Sequence, residues 1–391
     1  MYIKKRIIII WSAVLIIAAS ALTIVAVNPF GISNIDDFLR FTQIGKLIRS
    51  EYYEDVSGED YANGAIAGFA YASGDNYTGY LYGDTAKEYL EDSTGAYDGI
   101  GVSITADEED NTIEIVSVMQ GTPAEAAGLK VGDKILKIDG AQYNGEQIDE
   151  ASRVMRGLDG TTVDIEVRRA STDVVETMTV ERKHIETDSV TSKMLDGNIG
   201  YIAISQFIDK TDDDFKTEFD ALKAEGMTSL VLDLRNNPGG YVESAVAIAS
   251  NFVESGKTVA YTLNKAGDRV DYTAEGDTTE IPIAILINGN SASASELLTG
   301  CLKDYGLAYV IGEQSFGKGI VQSVYTFSNE SVLSVTTDRY YTPNGVCIHG
   351  SGISPDEVIP MDKDKYARIN SLTIDEDDQL LAAMNYLKNL T

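Results

Sequence analysis

The stretch ILINGNSASASELLTG, residues 285–300, combines an apolar strand, a turn and the start of a helix. The apolar run stops at Asn288-Gly289, and three serines separated by alanines then open the helix. A short apolar run bounded by a turn is typical of a strand that is covered on both faces. A strand that leads directly into a helix predicts an α/β domain, with a buried sheet covered by helices.

The same alternation of strands and helices continues along residues 200–360. Helices are expected at 215–225, 241–253 and 295–305, between strands that are almost continuously apolar. One of these strands, in SLVLDLRNNPGG at 229–240, runs into a Gly-Gly turn before the next helix. Strands this apolar predict a buried sheet with helical cover.

Residues 97–185 have a different sequence pattern, with short strand-like runs separated by turn residues. Within them, TPAEAAG predicts a short helix with Thr122 as its cap, Pro123 at its first position and Gly128 as its end. A second helix is expected at 148–155. Short strands with two helices predict a small, partly open β-barrel or sandwich.

Helices are also expected towards both ends of the chain. Residues 36–91 are mainly helical, with a first helix whose apolar side chains share one face, at Phe38, Phe41, Ile44, Leu47 and Ile48. The tail, residues 373–390, is an acidic-headed helix. Because it is too short to be stable alone, it must dock on another element.

The first residues carry the pattern of a membrane anchor. Lys4, Lys5 and Arg6 precede an uncharged run of 21 residues, 7–27, and about 20 helical residues cross a bilayer. The basic flank favours the cytoplasmic side, so we expect an uncleaved anchor with the remaining domains outside the cytoplasm. A cleaved signal peptide is the alternative, although the apolar core of such a peptide is usually about 7–15 residues long.

The composition excludes several classes of protein. With 61 acidic and 31 basic residues, the 391-residue chain has a formal net charge of −30, whereas nucleic-acid partners require a basic face. Two cysteines exclude a disulfide-rich scaffold and a four-cysteine zinc site. Two histidines, His184 and His349, exclude a His-rich metal centre, and no metal or other cofactor is predicted.

The serines at the start of the predicted helix, Ser291, Ser293 and Ser295, have two interpretations. A helix start exposes unpaired backbone N–H groups, so a serine there lies beside donors that can stabilise an oxyanion. Serine also caps helices, and Ser295 followed by Glu296 is typical of a helix start. The local pattern leaves capping and catalysis open.

A catalytic serine needs a base, and neither histidine lies in a comparable setting. Lys318, in QSFGKGIVQSV, is flanked by Gly317 and Gly319, which allow close approach of backbone and side chain. Burial makes a lysine lose its proton more easily, so its neutral amine can accept a hydroxyl proton. Gln322, four residues on, shares a face with Lys318 in a strand or a helix. The alternative is an exposed loop lysine.

The turn NNPGG, residues 236–240, completes the set of candidates. A Gly-Gly turn between a strand and a helix can present a backbone N–H to a developing oxyanion. The alternative is a simple tight turn before a helix, and the turn taken alone favours that interpretation.

Taken together and in order, these segments resemble the C-terminal processing peptidases, the tail-specific serine proteases. The core motifs are DLRNNPGG, NGNSASASE and FGKGIVQ. The resemblance also includes GDNYTGY, GIGVSI, GTPAEAAGLKVGDKILKIDG, GNIGYIAISQF and GSGISPDEVIP, and therefore spans nearly the whole chain after the apolar run. It implies a multi-domain α/β protein: an N-terminal transmembrane helix and helical region, a PDZ domain, a ClpP/crotonase-like α/β protease core and a C-terminal helix.

The resemblance also implies a role for each matching residue of the core. Ser293, the middle serine of SASAS, is the implied nucleophile, and Lys318 is the implied general base. Gln322 is the implied residue that positions the lysine. The backbone amides of Gly239 and Ala294 are the implied oxyanion hole.

In the PDZ region, the loop of Gly99, Ile100, Gly101 and Val102 resembles the carboxylate-binding loop of PDZ domains. Its backbone N–H groups would hold the C-terminus of a substrate, while the adjoining strand edge pairs with the peptide. The implied domains are a cytoplasmic stub and anchor at 1–31, a helical region at 32–96, the PDZ domain at 97–186, the protease core at 187–363 and a helical tail at 364–391.

The implied function is that of an extracytoplasmic, membrane-anchored serine endopeptidase. It would recognise proteins or peptides by exposed C-termini and cleave them through an acyl-enzyme. A homodimer through the terminal helices is a further expectation. Two other functions are considered: a catalytically silent, PDZ-bearing membrane scaffold and, because the core resembles the crotonase-like fold, an acyl-CoA enzyme.

Overall fold

The computed structural model describes residues 35–94, 96–107, 110–186, 188–362, 365–366, 369 and 372–390. The chain divides into two compact units, one made of the residues up to Tyr82 with Val324–Val335, the other of Gly83–Ser323 with Thr336–Thr391. The predicted anchor, at 7–27, lies outside the described residues. None of the helices in the described ranges has both the length and the apolar character needed to cross a membrane.

The helices, in chain order, are α1 (Ile35–Glu51), α2 (Gly58–Tyr71), α3 (Asp84–Thr94), α4 (Pro123–Ala127), α5 (Ile148–Met155), α6 (Thr211–Ala224), α7 (Val242–Ala249), α8 (Ala294–Asp304) and α9 (Asp378–Lys388). The strands are β1 (Gly79–Leu81), β2 (Ala96–Gly99), β3 (Val102–Asp107), β4 (Thr112–Val118), β5 (Lys134–Ile138), β6 (Ala141–Gln142), β7 (Thr162–Arg168), β8 (Val175–Glu181), β9 (Lys183–Glu186), β10 (Val190–Leu195), β11 (Ile199–Ile204), β12 (Ser229–Asp233), β13 (Thr258–Asn264), β14 (Arg269–Thr273), β15 (Ile283–Ile287), β16 (Ala308–Gly312), β17 (Ile320–Thr326), β18 (Val332–Tyr341) and β19 (Glu357–Val358).

The smaller unit contains α1, α2 and β1, and β1 pairs antiparallel with the start of β18. Ser57 caps α2, because its hydroxyl oxygen accepts the backbone N–H of Asp60. The buried Tyr80 of β1 donates a hydrogen bond to Asn63 of α2. The predicted apolar face of α1 is exposed at Phe41, Ile44, Leu47 and Ile48. The side chain of Phe38, the fifth residue of that face, is outside the described part of the structure.

The predicted PDZ region forms an antiparallel sheet in the order β3-β4-β5-β7-β8, with the short β6 paired to β5. A separate two-stranded ladder joins β2 to β9. Strand β7 alternates between exposed and buried residues, and its inward side chains are fully buried at Val163, Ile165 and Val167. This alternation is what places one face of the sheet on the core and the other in solvent.

Two helices accompany this sheet at the predicted positions. Helix α4 starts with Pro123 and is followed by Gly128, whose φ of +85° is the left-handed conformation expected after a helix. The predicted capping by the Thr122 side chain is wrong: its hydroxyl donates to the carbonyl oxygen of Met119 at 2.6 Å. Helix α5 has the predicted bounds.

The predicted protease core contains a six-stranded sheet in the order β10-β11-β12-β15-β16-β19. Strand β10 is antiparallel to β11, and the remaining neighbours are parallel. Every residue of β12 and β15 is buried, which confirms the prediction from their apolar sequences. Parallel neighbours need long crossover connections, and α6, α7 and α8 lie within those connections.

Helices cover both faces of this sheet. On one face, α6, α7 and α8 enclose a large core that includes the ring cluster of Phe215, Phe219 and Phe252, whose centroids lie 5.4–6.3 Å apart. On the other face, α9 packs through Leu380, Ala383, Met384 and Leu387. The expected docking of the C-terminal helix is therefore confirmed, and its partner is the sheet.

A second sheet of the larger unit contains β14, β13 and β18, in that order, and β17 also pairs with β18. Lys318, the predicted general base, lies two residues before the start of β17. Cys301 and Cys347 do not pair: both are free thiols. Burial raises the pKa of the Cys301 thiol to about 12, so that side chain stays protonated.

Candidate active site

The two predicted turns of the core meet because their strands are neighbours. Strands β12 and β15 are adjacent and parallel, so their carboxyl ends lie at the same edge of the sheet. The turn 236–240 follows β12, and the serine segment 288–293 follows β15. Side-chain amides join them: Asn288 Nδ2 donates to Asn236 Oδ1, and the backbone N–H of Asn236 donates to Asn288 Oδ1, both at 2.9 Å.

Ser293 lies immediately before α8 in a backbone conformation that favours glycine. Its φ is +54° and its ψ is −114°, and the N–H of Ser295 donates to the carbonyl oxygen of Ala292 at 3.1 Å. These values place Ser293 at the first central position of a type II′ turn. A residue with a Cβ costs about 1–3 kcal/mol in such a conformation, so the surrounding contacts must hold it there.

The three serines differ in what their hydroxyl groups do. Ser291 is fully buried; its Oγ donates to the carbonyl oxygen of Leu234 at 2.8 Å and accepts the N–H of Asn288 at 2.9 Å. Ser295 is also fully buried, and its Oγ donates to the carbonyl oxygen of Asn237 at 3.0 Å. Ser293 is the member of this set that is partly exposed. The structure therefore distinguishes the three serines, which the local sequence pattern did not.

The buried carboxylate of Glu296 joins the serine turn to the lysine loop. Its Oε2 accepts the backbone N–H of both Ser293 and Lys318, each at 2.8 Å. Its Oε1 accepts the N–H of Gly317 at 2.7 Å and the hydroxyl of Ser315 at 2.6 Å. Four hydrogen bonds to one ionised acceptor are strong, because charge-assisted bonds are about twice as strong as neutral ones.

Glu296 makes more contacts than its position in the sequence predicts. An acidic residue in the first helical turn predicts a contact with the helix start, and the bond to the Ser293 N–H is such a contact. The bonds to residues 315–318 link segments about 20 positions apart, and no spacing rule predicts them. The pairing of Ser295 with Glu296 as a capping device was also wrong for Ser295, whose hydroxyl bonds to the neighbouring turn.

Lys318 is half-buried, and burial lowers the pKa of its amine. The glycines beside it let two segments of backbone approach. A Cβ on Gly319 would overlap the backbone N of His349, and a Cβ on Gly317 would lie 3.1 Å from the backbone N of Gly352. The predicted function of these glycines, close backbone approach, is therefore observed, and it buries the lysine loop.

The remaining polar candidates occupy less defined places. Gln322 is half-buried in β17, which begins two residues after Lys318, so strand alternation by itself does not put the two on one face. His184 has a side chain that is 58% exposed and lies 3.0 Å from Asp98. His349 is exposed in the loop that packs on the lysine segment. In the described part of the chain, no cluster of three or more His, Cys, Asp or Glu side chains could hold a metal ion.

Gly239 lies directly against the predicted nucleophile. A Cβ on it would lie 2.7 Å from both the Cβ of Ser293 and the carbonyl oxygen of Ala292, and 3.0 Å from the backbone N of Ala294. Its φ of +98° also favours glycine. Its N–H, however, donates to the side-chain oxygen of Asn237 at 2.8 Å, so this predicted oxyanion donor is engaged within its own turn.

The other predicted donor, the N–H of Ala294, belongs to the first residue of α8. The first N–H groups of a helix have no partner inside that helix. The positive end of the helix dipole also lies there, which favours a developing negative charge. The neighbouring Gly240 packs against the backbone of Phe207, because a Cβ on Gly240 would overlap the Phe207 carbonyl oxygen.

The predicted peptide-binding loop lines a small cavity of about 60 Å³ in the PDZ region. Ile100, Gly101 and Val102 form one side of it, and Gly99 packs against the ring of Tyr97 beside them. The rest of the lining comes from β3 and α5 and their flanks, at Ile104, Ser152, Met155 and Arg156. Within the described residues β3 pairs only with β4, so its other edge is the one an added peptide strand would use.

Comparison with known proteins agrees with this architecture. Residues 198–359 match the model of peptidase family S41, and residues 114–169 match a PDZ domain model. A solved photosystem II D1 C-terminal processing protease has a TM-score of 0.51 and 27% identity, covering 87% of this chain and 92% of that one. A putative S41 protease from Bacteroides fragilis has a TM-score of 0.59 at 17% identity, covering 89% and 97%, and supports the fold.

Curated relatives extend the match along the sequence. A probable CtpA-like serine protease of Staphylococcus aureus is 36% identical over 335 residues, which are 85% of this chain but only 66% of that protein. A carboxyl-terminal-processing protease of Picosynechococcus is 35% identical over 346 residues, 87% of this chain and 83% of that protein. The chain therefore belongs to peptidase family S41, the family of the carboxyl-terminal-processing serine proteases, and carries their PDZ domain.

Proposed function

We propose that this protein is a serine endopeptidase that uses a Ser293–Lys318 dyad. One observation carries the proposal: Glu296 Oε2 accepts the backbone N–H groups of both residues, so the nucleophile and the base flank one buried anion. Ser293 is the partly exposed serine of its segment, and Lys318 has an amine whose pKa is lowered by burial. A serine beside a lysine that can become neutral is one of the known forms of an activated nucleophile.

The proposed chemistry follows acyl transfer. Neutral Lys318 accepts the hydroxyl proton as Ser293 Oγ attacks the carbonyl carbon of the scissile peptide bond. The tetrahedral intermediate collapses, the C–N bond breaks, and the lysine returns the proton to the leaving amine. Water then attacks the acyl-enzyme, with Lys318 again as the base. Gln322 is the proposed residue that orients the lysine side chain.

The oxyanion of the tetrahedral intermediate would bind at the start of α8. The N–H of Ala294 is the first proposed donor, and the N–H of Gly239 is the second. Because the Gly239 N–H donates to Asn237, the second donor becomes available only when that bond is released. This suggests that substrate binding rearranges the turn, as in enzymes that complete their sites on substrate binding.

The PDZ domain is the proposed recognition element for substrate C-termini. Its cavity is lined by apolar side chains and by Arg156. Such a lining suits a peptide whose last side chain is apolar and whose C-terminal carboxylate is free. The free edge of β3 would pair with the substrate main chain, so the recognition would depend little on sequence beyond the last residues.

Location and assembly are proposed from the N-terminal part. The run 7–27 would anchor the protein, with its catalytic domains on the extracytoplasmic face, and recovery in the soluble fraction of lysed cells would contradict this.

A homodimer would use the exposed apolar face of α1, because the apolar face of α9 is already buried against the sheet. A strictly monomeric species in light scattering would contradict the dimer.

Two other functions have less support. A silent scaffold would not need a serine in a strained turn or a half-buried lysine whose pKa is lowered, and a cleavage assay on casein separates the two functions. An acyl-CoA enzyme of the crotonase-like fold would bind CoA, which a binding titration detects. The match to an S41 peptidase over 198–359 opposes it.

Replacing Ser293 by Ala should lower the rate of peptide cleavage by at least about 10³-fold, because no other group forms the acyl-enzyme. The measurement is kcat on casein or on a peptide with a free C-terminal tail. Ser192→Ala is a matched control: Ser192 lies in β10 and bonds to Glu218. Cleavage that survives Ser293→Ala would exclude Ser293 as the nucleophile.

The dependence of kcat/KM on pH should report the lowered pKa of Lys318. Since only the neutral amine can accept the serine proton, activity should rise with pH, with a midpoint below the ordinary lysine value of about 10.4. Lys318→Arg should be inactive at every pH, because arginine stays protonated. A midpoint at the ordinary value, or an active arginine variant, would argue against Lys318 as the base.

Replacing Glu296 by Gln should lower kcat by at least about 10-fold, because an NH₂ group would replace an oxygen that accepts two hydrogen bonds. The effect should fall on kcat more than on KM, since both bonded segments carry the chemistry. Glu313→Gln, in the strand-end loop nearby, is the control and should resemble wild type. Unchanged kcat in Glu296→Gln would show that the shared carboxylate is dispensable.

Amidating the C-terminus of a peptide substrate should raise its KM by about 10-fold or more, because the PDZ loop would lose its carboxylate ligand. Acetylating the N-terminus of the same peptide is the control and should leave KM unchanged. Equal KM values for the free acid and the amide would contradict recognition through the C-terminal carboxylate.

A further inference from the structure

The C-terminal helix α9 is bound to the carboxyl end of β12 through a buried arginine. Arg235 lies two residues beyond Asp233, the last residue of β12, and its side chain is only 3% exposed. It donates to Asp377, the residue before α9, from Nη1 to Oδ1 at 3.0 Å and from Nη2 to Oδ2 at 2.8 Å. Nη1 also donates to the side-chain oxygen of Gln379 at 3.0 Å.

The same guanidinium is held from its other side by the strand. Its Nε donates to both carboxylate oxygens of Asp233, at 2.9 and 3.1 Å, and Nη2 donates to Oδ2 at 2.5 Å. Together with the bonds to Asp377 and Gln379, these contacts use all five N–H groups of Arg235. A planar group bonded along every edge has one orientation, so the end of β12 and the start of α9 are coupled in position.

Stability alone is a weak reason for this cluster. Helix α9 already docks through an apolar face that includes the fully buried Leu387. Buried ion pairs contribute little net stability, because desolvation cancels most of the attraction. Here two carboxylates share one cation, with Tyr201 donating to Asp233 at 2.8 Å and the N–H of Leu380 to Asp377 at 3.0 Å. Such an arrangement fits a requirement for exact placement better than one for binding energy.

What it places is the turn beside the nucleophile. Two residues after Arg235, the carbonyl oxygen of Asn237 accepts the N–H of Ala292 and the hydroxyl of Ser295, each at 3.0 Å. Gly239, two residues further, lies against Ser293. A displacement of about 1 Å at a catalytic group can cost about 10²-fold in rate, so the position of this turn matters more than its stability.

We propose that Asp377 is a positioning residue of the active site, which acts through Arg235 on the turn 236–240 and makes α9 a structural part of the catalytic edge. The proposal rests on the proposed peptidase function. Asp377→Asn tests it, because the variant keeps the size of the side chain but removes its charge and replaces one acceptor oxygen by a donor that opposes the guanidinium.

In the full-length protein, Asp377→Asn should lower kcat by at least 10-fold on a tailed peptide and change KM by less than 2-fold. Leu387→Ala is the matched control, because it weakens the docking of the same helix without contacting Arg235. At a temperature where circular dichroism shows both variants to be folded, the control should keep the wild-type kcat. An unchanged kcat in Asp377→Asn, or an equal loss in both variants, would overturn the proposal.

Hydrogen exchange measured by mass spectrometry gives a second readout that needs no activity. Asp377→Asn should accelerate exchange in residues 234–241 by at least 10-fold, whereas Leu387→Ala should do so only in α9 and the sheet beneath it. Wild-type exchange at 234–241 in Asp377→Asn would overturn the coupling. A wild-type protein without peptidase activity would instead contradict the proposed function, and the exchange result would still decide whether Asp377 holds the turn.

Discussion

The candidate active site depends on one buried carboxylate. Glu296 is 1% exposed and accepts hydrogen bonds from the serine turn on one side and the lysine loop on the other. Neither segment has regular secondary structure at that point, so the carboxylate supplies the bonds that a sheet or helix would otherwise provide. It also compensates for the strained backbone of Ser293, which a free loop would relax. Glu296 contacts the backbone N–H of Lys318, and the pKa of the lysine amine is lowered by burial.

The net charge of the chain opposes the loss of a proton by Lys318. A net charge of −30 creates a field that favours the protonated form of every lysine, and the lowered pKa of Lys318 is therefore a local effect of desolvation. The setting of the two histidines points the same way, because both His184 and His349 are exposed and a serine enzyme that uses neither takes its base from another residue type. The composition is thus compatible with a serine hydrolase that uses a lysine base.

The parallel sheet explains why residues from distant segments converge. Adjacent parallel strands end at one edge, so the turns after β12 and β15 must be neighbours, and asparagine side chains lock them together. The bonds of Arg235 connect this edge to α9 on one face of the sheet, while α8, which begins directly after Ser293, lies on the other face. Both helical layers are in this way bonded to the sheet edge that carries the candidate site.

The sequence by itself determined the local elements: the apolar strands, the turns after them, the start of α4 at Pro123 and its end at Gly128, the bounds of α5, and the motifs of a known protease family. It did so because strand burial, helix ends and glycine turns depend on residues that are near in the chain. The family resemblance selected Ser293, and the tertiary structure gave the physical reason, because it buries the hydroxyl groups of Ser291 and Ser295 in bonds to the neighbouring turn and strand end. Only the tertiary structure revealed the bonds of Glu296 and the link from Asp377 to Arg235. Those decisions rest on contacts between segments about 20 to 140 positions apart, which no local pattern encodes because they follow from the order of strands in the sheet.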